Sequence, residues 1–413
     1  MSRSVDDLFV YPGQAIDEES ASVIRLVRQW ADKEIISKRM EYRENYDKLF
    51  EEKRKKLNLD IGLQKLVIPA DLGGFGWNSL SNIPGMLSIL TEIGRDDAAL
   101  GVLSAATCTA LAMIVMEHHP NKKLASAIAL TYAGSIIKTP CPILPGPGIA
   151  GTTHPLFKGR AILAEAKAVN DGYTITGTSL RPLFAGAMAD LFCVVCAGKK
   201  GKPCVAFVPA DAPGVTRSLP LLTTGLNACV NTDITFHEVK VPKENVIEED
   251  GIVEEFYIWL NLFLGGVSVG AALNFFELIS DWGDSRVIKG GTTLKENPLC
   301  ASVLADVAEE IALAKLLLFD LAQLIARPGE MSGSTRTRTF TFAEMIGNRA
   351  QQGVLRAMNR GLELMGSAGY SKEWHVEKHW RDVKTIQSVL CGVGAEAPVK
   401  MDTARFFFNC TEI

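Results

Sequence analysis

The sequence predicts an α+β chain of several units: an N-terminal helical bundle, a central small β-barrel or sandwich, and a C-terminal four-helix bundle. Helical spacing of apolar residues runs through the first 133 positions. A stretch dense in proline and glycine, Pro140 to Pro155, then opens a series of short apolar or alternating runs divided by turn residues. Long helical patterns return for the rest of the chain. The expected units are 1–133, 134–248 and 249–413, with the all-β unit inserted between two helical ones.

The elements follow in order. Asp17-Glu18-Glu19-Ser20 opens a helix carrying Val23, Ile24, Val27, Trp30 and Ala31 at 3–4 spacing. The charged run Lys38 to Lys56 reads as a solvated helix face and connector. Leu66 to Gly76 is a glycine-punctuated turn, and helices are expected near Leu80–Ile93 and Ala98–His118. Strands are expected at Arg160–Val169, Tyr173–Gly177, Leu191–Val195, Val205–Val208 and Ile234–Phe236. The final helices are expected at about Glu254–Trp282, Ala301–Ala326, Phe340–Met365 and Ile386–Asn409.

The 413 residues are 47% hydrophobic and 22% charged, the balance of a soluble globular protein. A formal charge of −4 argues against nucleic-acid binding, because no net basic field exists to release counterions. The first residues carry no apolar signal core, so a cytoplasmic protein is expected. Nine cysteines without framework spacing fit reduced thiols. Two uncharged stretches, Ala98–Met116 and Tyr257–Phe276, approach bilayer-spanning length but are rich in small and polar residues. They read as buried helices packed on close neighbours, helped by Gly266 and Gly270, and as material for a large subunit interface. No membrane span is expected.

Three constellations could carry chemistry. His375 and His379 stand at i, i+4, a spacing that can hold a metal, but no third ligand is nearby and no metal is expected. Cys193 and Cys196 fall in an apolar strand and should face opposite sides of it. Thr335-Arg336-Thr337-Arg338 reads as a short basic surface loop.

The C-terminal run Gly361-Leu362-Glu363-Leu364-Met365-Gly366-Ser367-Ala368-Gly369-Tyr370, followed by Ser371 to Lys378 and Arg381-Asp382, resembles the C-terminal signature of the acyl-CoA dehydrogenase family. Val67 to Gly74, Asp171 to Thr178, Phe236 to Val246 and Leu304 to Ile311 resemble further family stretches, in the family's order. The resemblance covers nearly the whole chain. It implies an acyl-CoA dehydrogenase-type oxidoreductase acting on CH–CH groups, with FAD as cofactor and an acyl-CoA thioester as substrate. It also implies an electron-transferring flavoprotein as a partner. Family members remove the α-proton with a carboxylate and pass the β-hydrogen to the flavin as hydride. An α-proton is too weakly acidic for a lone carboxylate in water, so hydrogen bonds to the thioester oxygen and a dry site must help.

Carried over residue by residue, the resemblance is uneven. The family's base falls on Leu390 counting from Asp382, on Cys391 matching the next glycine, or on Val393 counting back from Arg405; none is an acid. The helix region Trp259-Leu260-Asn261, where some relatives carry their base, has none either. Glu396 is the nearest carboxylate, either a shifted base or an exposed glutamate at a helix start. Where the family sets an aromatic and a threonine against the flavin ring, this chain has Arg181 and Leu183, and upstream flavin elements shrink to Thr139-Pro140 and Gly151-Thr152. The adenosine end is better kept. Arg286 matches an arginine that reaches the FAD diphosphate of a neighbouring subunit, and Glu363, Leu364, Gly366 and Ser367 match the stretch lining that nucleotide. Three readings follow: a subunit of a heteromer whose own site is degenerate and which shares FAD with a homologous partner subunit; a self-sufficient dehydrogenase using Glu396; or a flavin-free structural or CoA-binding protein.

Overall fold

The computed structural model describes residues 8–10, 16–42, 46–118, 122–148, 155–157, 159–288, 290–327 and 334–410. Helices α1 (Glu18–Ala31), α2 (Tyr46–Lys55), α3 (Ile83–Asp96), α4 (Ala98–Val115) and α5 (Lys122–Tyr132) form the N-terminal layer. Asp17 caps α1 by accepting the Ser20 N–H at 2.8 Å. Asp97 separates α3 from α4 and caps α4, accepting N–H groups of Ala99 and Leu100. The charged run before α3 is less solvated than its composition suggests. Phe50 and Leu57 are buried, and the Lys53 side chain is 7% exposed because Glu34 accepts its ammonium at 3.0 Å.

The strands are β1 (Pro140–Ile143), β2 (Gly146–Pro147), β3 (Arg160–Ala161), β4 (Ala164–Val169), β5 (Gly172–Leu180), β6 (Leu191–Ala197), β7 (Pro203–Pro209), β8 (Val215–Arg217), β9 (Ile234–Pro242) and β10 (Val246–Ile247). The main sheet runs β10-β7-β6-β4-β5-β9-β8, with β1 parallel to β6, while β2 and β3 pair separately. What reads in sequence as one strand from Arg160 to Val169 is therefore two strands in different sheets. Alternation in β6 divides its side chains between two cores. Cys193 and Val195 join the large core shared with the helices, while Phe192, Val194 and Cys196 join a core of the β unit alone.

The C-terminal helices are α6 (Ile252–Ser285), α7 (Pro298–Ile325), α8 (Ser334–Met365), α9 (Val376–Cys391) and α10 (Val393–Phe408). The single helix expected over Ile386–Asn409 is broken: Gly392 is extended (ψ 175°) and separates α9 from α10. Arg336 and Arg338 do not sit in a loop but at the start of α8, where Arg336 donates to the Asp250 carbonyl at 2.6 Å.

The two uncharged stretches are the centre of the fold. Every residue of α4 is buried, and α6 is buried along most of its length. Both pass the length and hydropathy test for a membrane span, yet both spend their apolar surface inside this chain, which leaves none of α4 for the expected subunit interface. Close approach explains the glycines of α6. A Cβ at Gly270 would meet the Thr91 carbonyl oxygen of α3, and one at Gly94 the Val267 carbonyl oxygen of α6. Helices α6 and α8 run parallel, since Asn261 meets Gly347, Leu264 accepts from Gln351, and Phe275 meets Gly361. Their C-terminal ends therefore lie at the same end of the bundle.

Candidate active-site cleft

A cleft of about 590 Å³ opens between the β unit and the C-terminal helices. One wall is Leu144 to Pro147, which includes β2, with Arg181, Pro182 and Leu183; the other is Tyr257 and Asn261 of α6, Glu344 of α8, the end of α9 and the start of α10. The break at Gly392 matters here, because it turns α10 so that Gly394, Ala395, Pro398 and Val399 reach the cleft.

The floor is ionic. Arg160 reaches in from β3, donating to the Leu156 carbonyl (2.8 Å), to Asp402 of α10 (2.7 Å) and to Glu344 (2.8 Å). Its guanidinium also lies over the Tyr257 ring, 5.3 Å from the centroid. All four side chains are buried. Burial pushes the Glu344 carboxyl well above the usual carboxylate range, and Arg160 opposes this while the Asp402 charge adds to it. Burial opposes the Arg160 charge, but Glu344, Tyr257 and Asp402 outweigh it and hold the guanidinium firmly charged. Asp402 also accepts from Arg405. None of Arg160, Tyr257, Glu344 and Asp402 was singled out from sequence. The one available signal was Glu344 itself, a lone acid in the apolar stretch Phe340 to Ile346.

The sequence candidates for the base scatter. Leu390 is buried and lines the cleft, Cys391 is buried, and Val393 is fully solvated at the start of α10. Glu396 stands on the first turn of α10 beside the cleft, outside its lining, with Lys400 Nζ 2.5 Å from its carboxylate. That hydrogen bond holds Glu396 below the usual range, which weakens it as a base. In α6, Asn261 lines the cleft, whereas Glu255 is fully buried and turned to His118 (2.9 Å) and Trp259 (3.3 Å).

Several residues that face the cleft are engaged within the chain, where the carbonyl and nitrogen edge of a flavin ring would need donors. The Leu183 N–H is spent on the Pro142 carbonyl. The Asn231 amide is spent on Pro182, Gly186 and Thr232. Arg181 is clamped by Asp233 at 2.7 and 2.9 Å. Thr385 and Ser388 donate to carbonyls of their own helix. Thr139 is buried and gives its N–H to Asp190, while Gly151-Thr152 lie outside the described residues.

The adenosine-end candidates gather elsewhere. Arg286 caps the end of α6, and Glu363, Leu364, Gly366 and Ser367 close α8, at the shared end of the parallel pair. Arg286, Glu363, Gly366 and Ser367 are exposed and Leu364 is half-buried. Gly366 has φ +60° with open space around it, a conformation that glycine adopts without a Cβ penalty. Arg286 lies over Trp282 (5.8 Å), which meets Trp374 edge-on at 4.7 Å, so a cation and two indoles brace this end. Glu363 faces Arg360 at 3.5 Å.

The signature Arg381-Asp382 proves architectural. Asp382 accepts Lys378 (2.6 Å) and the Leu226 N–H (2.7 Å), and Arg381 donates to the Thr224 carbonyl at 2.7 Å. His379 and Arg39 both donate to the Asn274 side-chain oxygen, His379 at 2.9 Å, and among the described residues no His, Cys, Asp or Glu group of three could hold a metal.

Comparison with known proteins agrees with this architecture. Residues 262–390 match the family model described as acyl-CoA dehydrogenase, C-terminal domain. The chain is 23% identical over 381 residues to cyclohex-1-ene-1-carbonyl-CoA dehydrogenase of Syntrophus aciditrophicus (strain SB), covering 90% of this chain and 86% of that one. It superposes on butyryl-CoA dehydrogenase from Megasphaera elsdenii with a TM-score of 0.75 at 17% identity, over 95% of this chain and 99% of the other. It superposes equally on a chain of the ChsE4-ChsE5 complex from Mycobacterium tuberculosis, with a TM-score of 0.74 at 17% identity over 96% and 99% of the two chains. Residues 262–390 thus carry an acyl-CoA dehydrogenase C-terminal domain by sequence, and the chain as a whole is similar to acyl-CoA dehydrogenases and shares their fold.

Proposed function

We propose that the chain is a subunit of a FAD-dependent acyl-CoA dehydrogenase, one that completes the flavin site of a homologous partner while its own cleft carries no flavin ring. The observation that carries this is the contrast between its two half-sites. In the cleft, the Leu183 N–H is given to Pro142, the Asn231 side chain bonds Pro182 and Gly186, and the Arg181 guanidinium is paired with Asp233. At the far end of the bundle, Arg286, Gly366 and Ser367 are exposed, and a cation with a glycine and a hydroxyl suits the diphosphate of a neighbour's nucleotide. In the mixed complex these residues would hold the phosphates, and FAD would supply hydride acceptance at the partner's centre. The likeness to a chain of a solved two-component complex supports the arrangement. An electron-transferring flavoprotein is the electron acceptor that the resemblance suggests.

The test is an absorption spectrum with mass analysis, taken on the chain alone and after co-expression with its nearest encoded relative. Flavin bound only in the mixed complex is expected. A lone homomer with one FAD per chain would overturn the reading.

A second reading, a cleft with its own relocated base, is favoured by one observation: the cleft does contain a buried acid, and it is Glu344 rather than Glu396.

A further inference from the structure

A second pocket, about 180 Å³ in volume, lies where helices α1, α3, α6 and α7 converge, and it shares no lining residue with the cleft. Small residues leave the space: Gly266 of α6 and Ser88 and Thr91 of α3 stand along it, where larger side chains would close it. Leu87, Val269 and Leu318 line it and are buried, while Val10 on its edge is 65% exposed and puts it within reach of solvent. Protein interiors are close-packed, and voids larger than a water molecule are few. A cavity of about 150 Å³ with an apolar lining already holds a benzene ring. The polar side chains that line this one are engaged within the chain. Ser88 and Thr91 donate to carbonyls of their own helix, at 2.9 Å to Pro84 and 2.8 Å to Leu87. Arg28 gives Glu92 two hydrogen bonds, at 2.8 and 3.1 Å, and Lys315 donates to the Phe9 carbonyl at 2.7 Å. A charged ligand would surrender its hydration here for little return, whereas an uncharged hydrocarbon body gains by leaving water.

We propose that this pocket is a binding site for a small uncharged apolar molecule, an aromatic ring or a hydrocarbon of comparable bulk, separate from the cleft. Such a ligand lies against α3, α6 and α7 at once and fills the space that Gly266, Ser88 and Thr91 leave between them. One wall of the site is the N-terminal segment, whose Phe9 is buried, meets Phe276 edge-on at 5.4 Å and is held by Lys315 through its carbonyl. An occupant therefore also packs against that segment and steadies it on α7. The site is independent of the flavin reading, because Tyr257 and Asn261, which α6 presents to the cleft, take no part in it.

The experiment titrates fluorobenzene into the purified full chain. Binding is read by fluorine NMR, and its place by the methyl signals of isotope-labelled leucine and valine. Saturable binding is expected, with shifts at Leu87, Val269 and Leu318 and a melting temperature that rises with ligand concentration. Benzoate, the same ring carrying a charge, should bind markedly less well. Val269→Phe and Ser88→Leu fill the pocket from two different helices, and each should abolish saturable binding while the chain still melts cooperatively. Should a filled variant fail to fold, the wild-type methyl shifts decide by themselves. Absence of saturable binding, shifts at Leu183 and Leu390 of the cleft in place of the three named methyl residues, unchanged binding in a folded filled variant, or benzoate binding as tight as fluorobenzene each overturns the proposal.

Discussion

Asp382 accepts the backbone N–H of Leu226 at 2.7 Å, joining helix α9 to a loop of the β unit 156 residues earlier in the chain. The same carboxylate holds Lys378, which also reaches Asp97 at 2.8 Å, so one buried lysine and two aspartates tie all three parts of the fold together. Leu226 sits at φ +53°, a strained position that this anchor helps to hold. Asp382→Asn leaves Lys378 its pairing with Asp97 and replaces a charged acceptor by a neutral one in a buried site. A loss of about 1.5–3 kcal/mol is expected from weakening such a charged hydrogen bond, read as a lower urea midpoint. An unchanged midpoint would show that the anchor carries no weight.

His375 and His379 set an acid limit. Burial holds both imidazoles well below the usual histidine range, and the charges of Lys378 and Arg39 add to this, with His379, Arg381 and Arg95 contributing to one or the other. In the unfolded chain they take up protons below about pH 6.5. Their contribution is therefore complete above that pH and is lost as pH falls toward the folded-state values. The melting temperature should drop between pH 7.5 and 5.5, and His379→Gln should flatten the drop.

Gly270 allows α3 and α6 to touch through their backbones. Gly270→Ala drives a methyl into the Thr91 carbonyl oxygen. Overpacking of this kind costs about 1–3 kcal/mol or more. Because both helices are rigid and buried, the upper part of that range is expected in a thermal melt.

Arg286→Ala separates the two half-sites. Arg286 is exposed, so stability of the lone chain should move by no more than about 0.5 kcal/mol. The FAD content of the co-expressed complex should fall severalfold. Full flavin retention would remove Arg286 from the partner's site.

The helical, β, helical order, most helix bounds and the opposed faces of Cys193 and Cys196 were legible in the sequence, because periodicity and turn residues are local properties. So was the absence of an acid at Leu390, Cys391 and Val393. The break at Gly392 was missed although Gly392, Gly394 and Pro398 interrupt the pattern, since isolated glycines inside a helical pattern signal a stop only weakly. Tertiary structure alone decided how the cleft is furnished. Arg160, Glu344 and Asp402 lie 184 and 242 residues apart along the chain from the arginine, and no spacing rule connects them. They meet because β3, α8 and α10 converge on one buried volume, where a charge persists only if the fold delivers its partner. Composition could say that such groups exist; only packing could say which of them share a site.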